Sequence, residues 1–140
     1  IGRDEVEAAQ LYDGFTPFVW GWLEKLGFCG IGEAHQFALD GRISLTGQLP
    51  VTTFGGSQGE GRLHGMGHVR EGAMQVMGRA GDRQIPGLSN CLVALGFDSV
   101  PGVRAKPMIP DTLSHSWSRL TGLTLVSMLL LSQPPTGPIY

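Results

Sequence analysis

Cysteine is scarce: Cys29 and Cys91 are the only two in 140 residues, and they do not form a CxxC pair. That excludes a disulfide-stapled secreted mini-protein and a zinc ribbon. Charge is scarce too, at 16% of residues against 41% apolar ones. The chain is too apolar for a disordered segment yet lean in charge for a self-sufficient soluble domain, so apolar surface is expected to need a cover. Ten Lys and Arg against twelve Asp and Glu give a net charge of −2, with no basic stripe to neutralise a phosphate backbone, which excludes nucleic acid as a partner. Long apolar runs are missing as well. Leu120 to Leu131 is interrupted by Thr121, Gly122, Thr124 and Ser127 and falls short of the roughly 20 residues that cross a bilayer, so no membrane span is expected. The opening IGRDEVEAAQ has no initiator Met, basic start or apolar stretch; it predicts no secretory signal and an internal start within something longer. The expected location is cytoplasmic, or the peroxisomal or mitochondrial matrix in a eukaryote.

What is plentiful is glycine, 22 of 140 residues, about twice the usual level of roughly 7%. The glycines follow no fixed period, so collagen and repeat architectures are excluded, but they concentrate between residues 55 and 81. Around that cluster the chain alternates strand-like and helical patterns. Val6–Tyr12 reads as a strand ahead of Asp-Gly. Phe15–Leu26 reads as a helix with Thr16 as cap, Pro17 as first helical residue, Gly27 as stop, and Phe18, Trp22 and Leu26 inward. Glu33–Leu39 predicts a short helix, and 43–54 a hairpin-like excursion broken by Gly47 and Pro50. Leu63–Met77 predicts a helix whose stripe of Leu63, Met66, Ala73, Met74 and Met77 faces the core, away from Arg70, Glu71 and Gln75. Its three glycines each cost up to about 1 kcal/mol relative to Ala, which close packing or a ligand must offset. Asp82–Pro86 predicts a turn and Cys91–Leu95 a buried strand. Residues 1–96 form the expected domain, and 97–140 a divergent Pro-, Ser- and Leu-rich tail with a strand or helix at Leu123–Leu131.

The segment TFGGSQGEGRLHGMGHVRE, Thr53–Glu71, is the strongest site candidate. A glycine-rich loop feeding a helix offers backbone N–H groups and the positive end of a helix dipole to an anion or a developing oxyanion. Gly55, Gly56, Ser57, Gly59 and Gly61 are the candidate substrate-binding residues, and glycines used only for turns and helix packing are the equal competitor. Neither GxGxxG nor GxxxxGK[ST] occurs, so nucleotide-phosphate binding by those loops has no support. His64, His68 and Glu71 share the i, i+4, i+7 spacing of a helical face, but the run lacks the HExxH glutamate, and no metal is assigned. The favoured reading has one histidine inside the helix-packing interface and the other near solvent or ligand. Cys29, just past a helix stop, suits structure better than nucleophilic catalysis. Tyr12, at a strand end before Asp-Gly, can aim its hydroxyl into a cleft as a general acid, or simply bridge core and surface.

LYDGFTPFVWGWLEKLGFCGIGEA and LPVTTFGGSQGEGRLHGMGHVREGAMQVMGRAGDRQIPG together resemble the C-terminal half of thiolase-superfamily proteins, in particular the acetyl-CoA acetyltransferases of the lipid-transfer and sterol-carrier-protein-X branch. The resemblance covers about residues 4 to 95. It implies an α/β fold, a mixed sheet with packed helices that forms one of two similar halves in a five-layer α/β/α/β/α body, usually dimeric. It also implies acyl-CoA or another acyl thioester as ligand, with coenzyme A part of the substrate and no separate cofactor. The partner implied is a complementary thiolase N-terminal half or a second copy.

The family's NEAF block lies over Tyr12, Asp13, Gly14 and Phe15, with Tyr12 in place of its Asn. Its GHP block lies over Gly61, Arg62 and Leu63, with Arg62 in place of the His. Arginine is no base near neutral pH, but it can bind an oxyanion or a carboxylate. The family's second Cys falls near Ala94, and its acylated Cys belongs to the other half. Acyl transfer in lipid metabolism is therefore the family-level expectation, with this chain inactive alone. The alternatives are a non-catalytic acyl-CoA or lipid-binding module and a retro-aldolase, whose family members use tyrosines near both blocks: Tyr12 matches the first and Arg62 departs from the second. The candidate catalytic residues are Tyr12, Arg62 and His64, with His68 as a supporting polar group. Past residue 96 the resemblance ends, where the family completes its sheet.

Overall fold

The run NCLVAL has no polar residue after Asn90, which is the pattern of a strand covered on both faces. In the computed structural model it forms the centre of the sheet. The structure describes residues 2–61 and 63–96, together with the backbone of 127–132. Three strands, β1 (Ala9–Leu11), β2 (Asn90–Leu95) and β3 (Ser127–Ser132), lie in the order β1-β2-β3. β1 and β2 run parallel, with Ala9 opposite Leu92 and Leu11 opposite Ala94. A parallel pair needs a long crossover, and the helices lie in the residues between them. β3 runs antiparallel to β2, Asn90 opposite Ser132 and Leu95 opposite Ser127. The expected strand or helix at Leu123–Leu131 is thus a strand over 127–132, and the rest of the predicted tail lies outside the described residues.

Alternation along the strands separates two core layers. Leu11, Leu92 and Ala94 face α1 (Thr16–Lys25) and α2 (Ala34–Leu39), where Trp22, Leu23, Leu26, Phe37 and Leu49 complete one cluster. Ala8 and Cys91 face the other way, with Val76 and Leu88. That second layer holds α4 (Met66–Val76), preceded by the single-turn helix α3 (Gly56–Glu60). This is the α/β architecture expected, helices on both faces of a mixed sheet.

Four expectations need correction. The first strand is Ala9–Leu11, shorter than Val6–Tyr12, with a 3-10 turn over residues 3–5 ahead of it. In α1 the cap is Phe15, in extended conformation, and Thr16 is the first helical residue with Pro17 behind it; proline is tolerated there because first-turn N–H groups have no helical partner anyway. Residues 43–54 form no hairpin strands. The Leu49 N–H bonds to the Arg42 carbonyl at 2.9 Å and the Val51 N–H to that of Ile43 at 3.1 Å, closing a turn-rich loop that meets β1 at a single parallel bridge from Val51 to Ala9.

The largest correction concerns α4. Of the stripe predicted to face the core, Leu63, Met66 and Met77 are 60%, 60% and 64% exposed, while Ala73 and Met74 are half-buried. The buried side is Gly67, His68, Glu71, Gly72, Gln75 and Val76. On that side a Cβ at Gly67 would meet the Phe54 ring at 3.0 Å, and Glu71 and Gln75 find hydrogen-bond partners there, which is the condition for burying them. Among the described residues no helix is long and apolar enough to cross a membrane.

Candidate functional site

β1 ends where its parallel partner still holds it: the Tyr12 N–H donates to the Ala94 carbonyl at 2.9 Å. Tyr12 is 4% exposed, and its ring lies across Gly14, where a Cβ would sit 2.9 Å from the hydroxyl oxygen. The fold in the chain at Asp13-Gly14 therefore requires glycine. The Tyr12 ring packs against His68, with centroids 5.8 Å apart and planes at 47°. His68 in turn meets Phe54 edge-on at 5.0 Å.

Asp13 ties this cluster to the glycine-rich loop. Its Oδ1 accepts from the Ser57 N–H at 2.8 Å and lies 3.2 Å from His68 Nε2. That approach is off the line of the ring N–H, and neither His68 nitrogen has a properly formed hydrogen bond among the described residues. Burial holds the His68 imidazole below its ordinary value, and the Asp13 carboxylate opposes that shift. Gly56 has φ +66° and faces Asp13 so closely that a Cβ would overlap the carboxylate. Gly56→Ala is therefore expected to cost about 2 kcal/mol, from the left-handed backbone and the displaced carboxylate together. Urea unfolding measures this, and a loss below about 0.5 kcal/mol would show that Asp13 does not rest on this turn.

A second polar group lies further along α4. Glu71, 0% exposed, accepts from Thr53 Oγ1 at 2.8 Å, Gln75 Nε2 at 3.0 Å and Arg83 Nη2 at 3.0 Å. These donors hold its carboxyl below the usual range although burial pushes it up. Gln10 closes the ring: its Nε2 donates to Thr53 Oγ1 and its Oε1 accepts from the Thr53 N–H, both at 3.2 Å. The network fixes Thr53, the residue that leads into Phe54 and the glycine loop.

The candidates named from sequence divide accordingly. Tyr12, Gly56, Ser57 and His68 come together around Asp13. Gly55 begins α3 and Gly61 ends it, and the N–H groups of Gly55, Ser57 and Gly59 bond to Thr52 O, Asp13 and Gly55 O, so these three amides are engaged within the protein. Arg62 lies outside the described residues. His64 precedes α4, exposed, with φ +48°, so it is off the buried face that His68 and Glu71 share; on that face His68 meets Asp13 and Glu71 pairs with Arg83. Among the described residues no three His, Cys, Asp or Glu side chains converge to hold a metal ion.

Pattern reading passed over the GxSxG spacing of Gly55-Gly56-Ser57-Gln58-Gly59. An elbow of that kind needs a strand running into its turn, and Thr53–Phe54 is turn. Asp13 moreover contacts both the Ser57 N–H and His68 Nε2, so among the described residues the imidazole faces this carboxylate. The thiols are poor nucleophiles too: burial pushes Cys29 up to about 11, with Glu24 and Glu33 adding to it, and burial pushes Cys91 up to about 12. Asp13 and Arg83 were missed as site residues, and Thr53 and Glu71, the ends of the candidate segment, were given no role in a shared network.

The chain belongs to the thiolase C-terminal domain-like family, whose model matches residues 1–96. It is 46% identical over 92 residues to the 17-hydroxy-3-oxo-4-pregnene-20-carboxyl-CoA lyase of Mycobacterium tuberculosis (strain ATCC 25618 / H37Rv), covering 66% of this chain and 24% of that one. It is 44% identical over 97 residues to the steroid side-chain-cleaving aldolase of Thermomonospora curvata, covering 69% and 24%. A solved structure, the Ltp2-ChsH2(DUF35) aldolase, matches with TM-score 0.67 and 42% identity over 72% of this chain and 26% of that one. The chain thus spans about a quarter of the length of the relatives it matches.

Proposed function

We propose that this chain is the C-terminal part of a thiolase-fold retro-aldolase that cleaves a β-hydroxyacyl-CoA, working with a complementary N-terminal half or a second copy. The observation that carries the reading is Tyr12: a buried hydroxyl-bearing ring at the end of β1, packed on His68 and beside a carboxylate that holds the glycine turn. The names of the relatives, a carboxyl-CoA lyase and a side-chain-cleaving aldolase, support carbon–carbon cleavage over acyl transfer. Acyl transfer is the weaker reading for this chain, because Arg62 and Ala94 occupy the positions where the family resemblance puts the GHP histidine and the second cysteine.

In the reaction the substrate's β-hydroxyl passes its proton to a base of the complementary half and becomes a carbonyl. The Cα–Cβ bond breaks, its electron pair passes into the thioester as an enolate, and a proton is returned at Cα. One proton leaves and one arrives, so the step needs no oxidant or reductant. Tyr12 is the proton donor, while Arg62 binds the oxyanion or carboxylate, with His64 and His68 as supporting polar groups; the Gly55–Gly61 loop, whose Gly55, Ser57 and Gly59 amides are engaged within the chain, holds Asp13 beside Tyr12. Coenzyme A enters only as part of the substrate. The test supplies the chain and its complementary half with a β-hydroxyacyl-CoA and follows release of the carbonyl product and the shortened acyl-CoA. Formation of both in equal amounts is expected. Thermal stabilisation by the thioester without product would instead define a binding module.

A further inference from the structure

We infer that Asp13 and His68 act as a positioning pair for Tyr12; this rests on the retro-aldol reading above. His68 is 1% exposed, and although the Asp13 carboxylate and the Leu11 carbonyl face it, neither of its nitrogens makes a well-formed hydrogen bond among the described residues. Leaving such a group unsatisfied costs about 1–3 kcal/mol. A leucine would fill the space between Phe54 and Tyr12 without that cost, so packing alone does not account for an imidazole here.

Its surroundings supply the account. The Ser57 N–H, 2.8 Å away, fixes Asp13 Oδ1, and the same oxygen lies 3.2 Å from His68 Nε2. A small turn of the ring converts that approach into a hydrogen bond, as misaligned pairs in ligand-free sites commonly do on closure. Because the ring is wedged by Phe54 at 5.0 Å and bears on Tyr12 at 5.8 Å, that turn is transmitted to the tyrosine. Asp13 is also the residue next to Tyr12 in the chain, so the carboxylate that orients the imidazole is tied by backbone to the ring the imidazole supports. Asp13 is the charged group facing His68 from the end of β1. Glu71, one turn further along α4, is committed to Arg83 and Thr53, and His64 is exposed.

The chain has two tyrosines, Tyr12 and Tyr140, so Tyr140→Phe leaves Tyr12 as the single reporter in a chain labelled with ring-13C tyrosine. The Tyr12 resonance is expected to move with pH around a midpoint below 6.5, following the lowered His68. The movement should vanish in His68→Leu, and its midpoint should fall further in Asp13→Asn, because the carboxylate favours the imidazolium. In the assembled enzyme, His68→Leu and Asp13→Asn are each expected to lower kcat about tenfold with KM within about twofold. A Tyr12 resonance that is flat from pH 4 to 8, or kcat unchanged in both variants, overturns the pair. If His68→Leu does not fold, the titration of the Tyr140→Phe chain and the Asp13→Asn variant still decide. Full activity in Tyr12→Phe would instead sink the retro-aldol reading, leaving the resonance to judge the pairing by itself.

Discussion

Tyr12→Phe is expected to lower kcat for cleavage of a β-hydroxyacyl-CoA by about 100-fold or more, the usual contribution of a positioned proton donor. That is about 2.7 kcal/mol of transition-state stabilisation. The substitution isolates the hydroxyl. The edge of the ring toward His68 and the fold over Gly14 depend on the ring, which phenylalanine keeps, and the bond to the Ala94 carbonyl is made by the backbone. Acyl-CoA affinity should therefore stay near the parent value while turnover collapses. The measurement is steady-state kinetics on the chain assembled with its complementary half. A kcat within about threefold of the parent would remove Tyr12 from the chemistry, since no general acid in the roughly 10²–10⁴ range is that dispensable.

The parts of the fold that could be read from sequence are those whose cause is local. Cys91–Leu95 was legible as a buried strand because an unbroken apolar run needs cover on both faces, and the structure extends it by one residue to Asn90. The second helix was legible because Gly32 and Gly41, both with positive φ, bracket an apolar side made by Ala34 and Phe37. The inward side of α4 was not. Choosing its apolar stripe assumes that polar residues face water, and that fails when their partners come from distant segments. Glu71 is satisfied by Thr53 and Arg83, 18 and 12 residues away, and Thr53 is held by Gln10, 43 residues away. No window of sequence contains that ring. Met66 and Met77 are consequently left outside, where they form the kind of apolar surface that the low charge content anticipated.

The same distinction applies to the candidate site. Tyr12 could be singled out from its place before Asp-Gly, and the glycine run from composition. What joins them could not. The Asp13 contact with the Ser57 amide spans 44 residues, and it changes what the loop does: an amide that sequence offers to a ligand is already given to a carboxylate of the chain. Asp13-Gly14 was read as a turn signal and it is one, but the same carboxylate also fastens the loop to the end of the sheet.

Arg83→Met is expected to destabilise the fold by about 3 kcal/mol at pH 7. This is the lower end of the range for removing one partner of a buried ion pair, because the Arg83 side chain is 39% exposed and Thr53 and Gln75 still donate to Glu71. What is left is a fully buried carboxylate held by neutral donors alone. The pH dependence separates this cause from lost packing. In the parent the folded-state value of Glu71 lies below its unfolded one, so its contribution is complete above the unfolded value of about 4.3 and is lost as pH falls through the folded one. In the variant the strongest lowering influence is gone while the burial that raises the value remains, so Glu71 takes up a proton at higher pH. The stability gap between parent and variant should therefore narrow as pH falls from 7 to 4, measured by urea unfolding at each pH. Adding Glu71→Gln to Arg83→Met removes the stranded charge and should recover part of the loss at pH 7, making the double variant more stable than the sum of the singles. A gap that is the same at both pH values, with strictly additive singles, would mean that Arg83 contributes only its aliphatic stem and that Glu71 is satisfied without it.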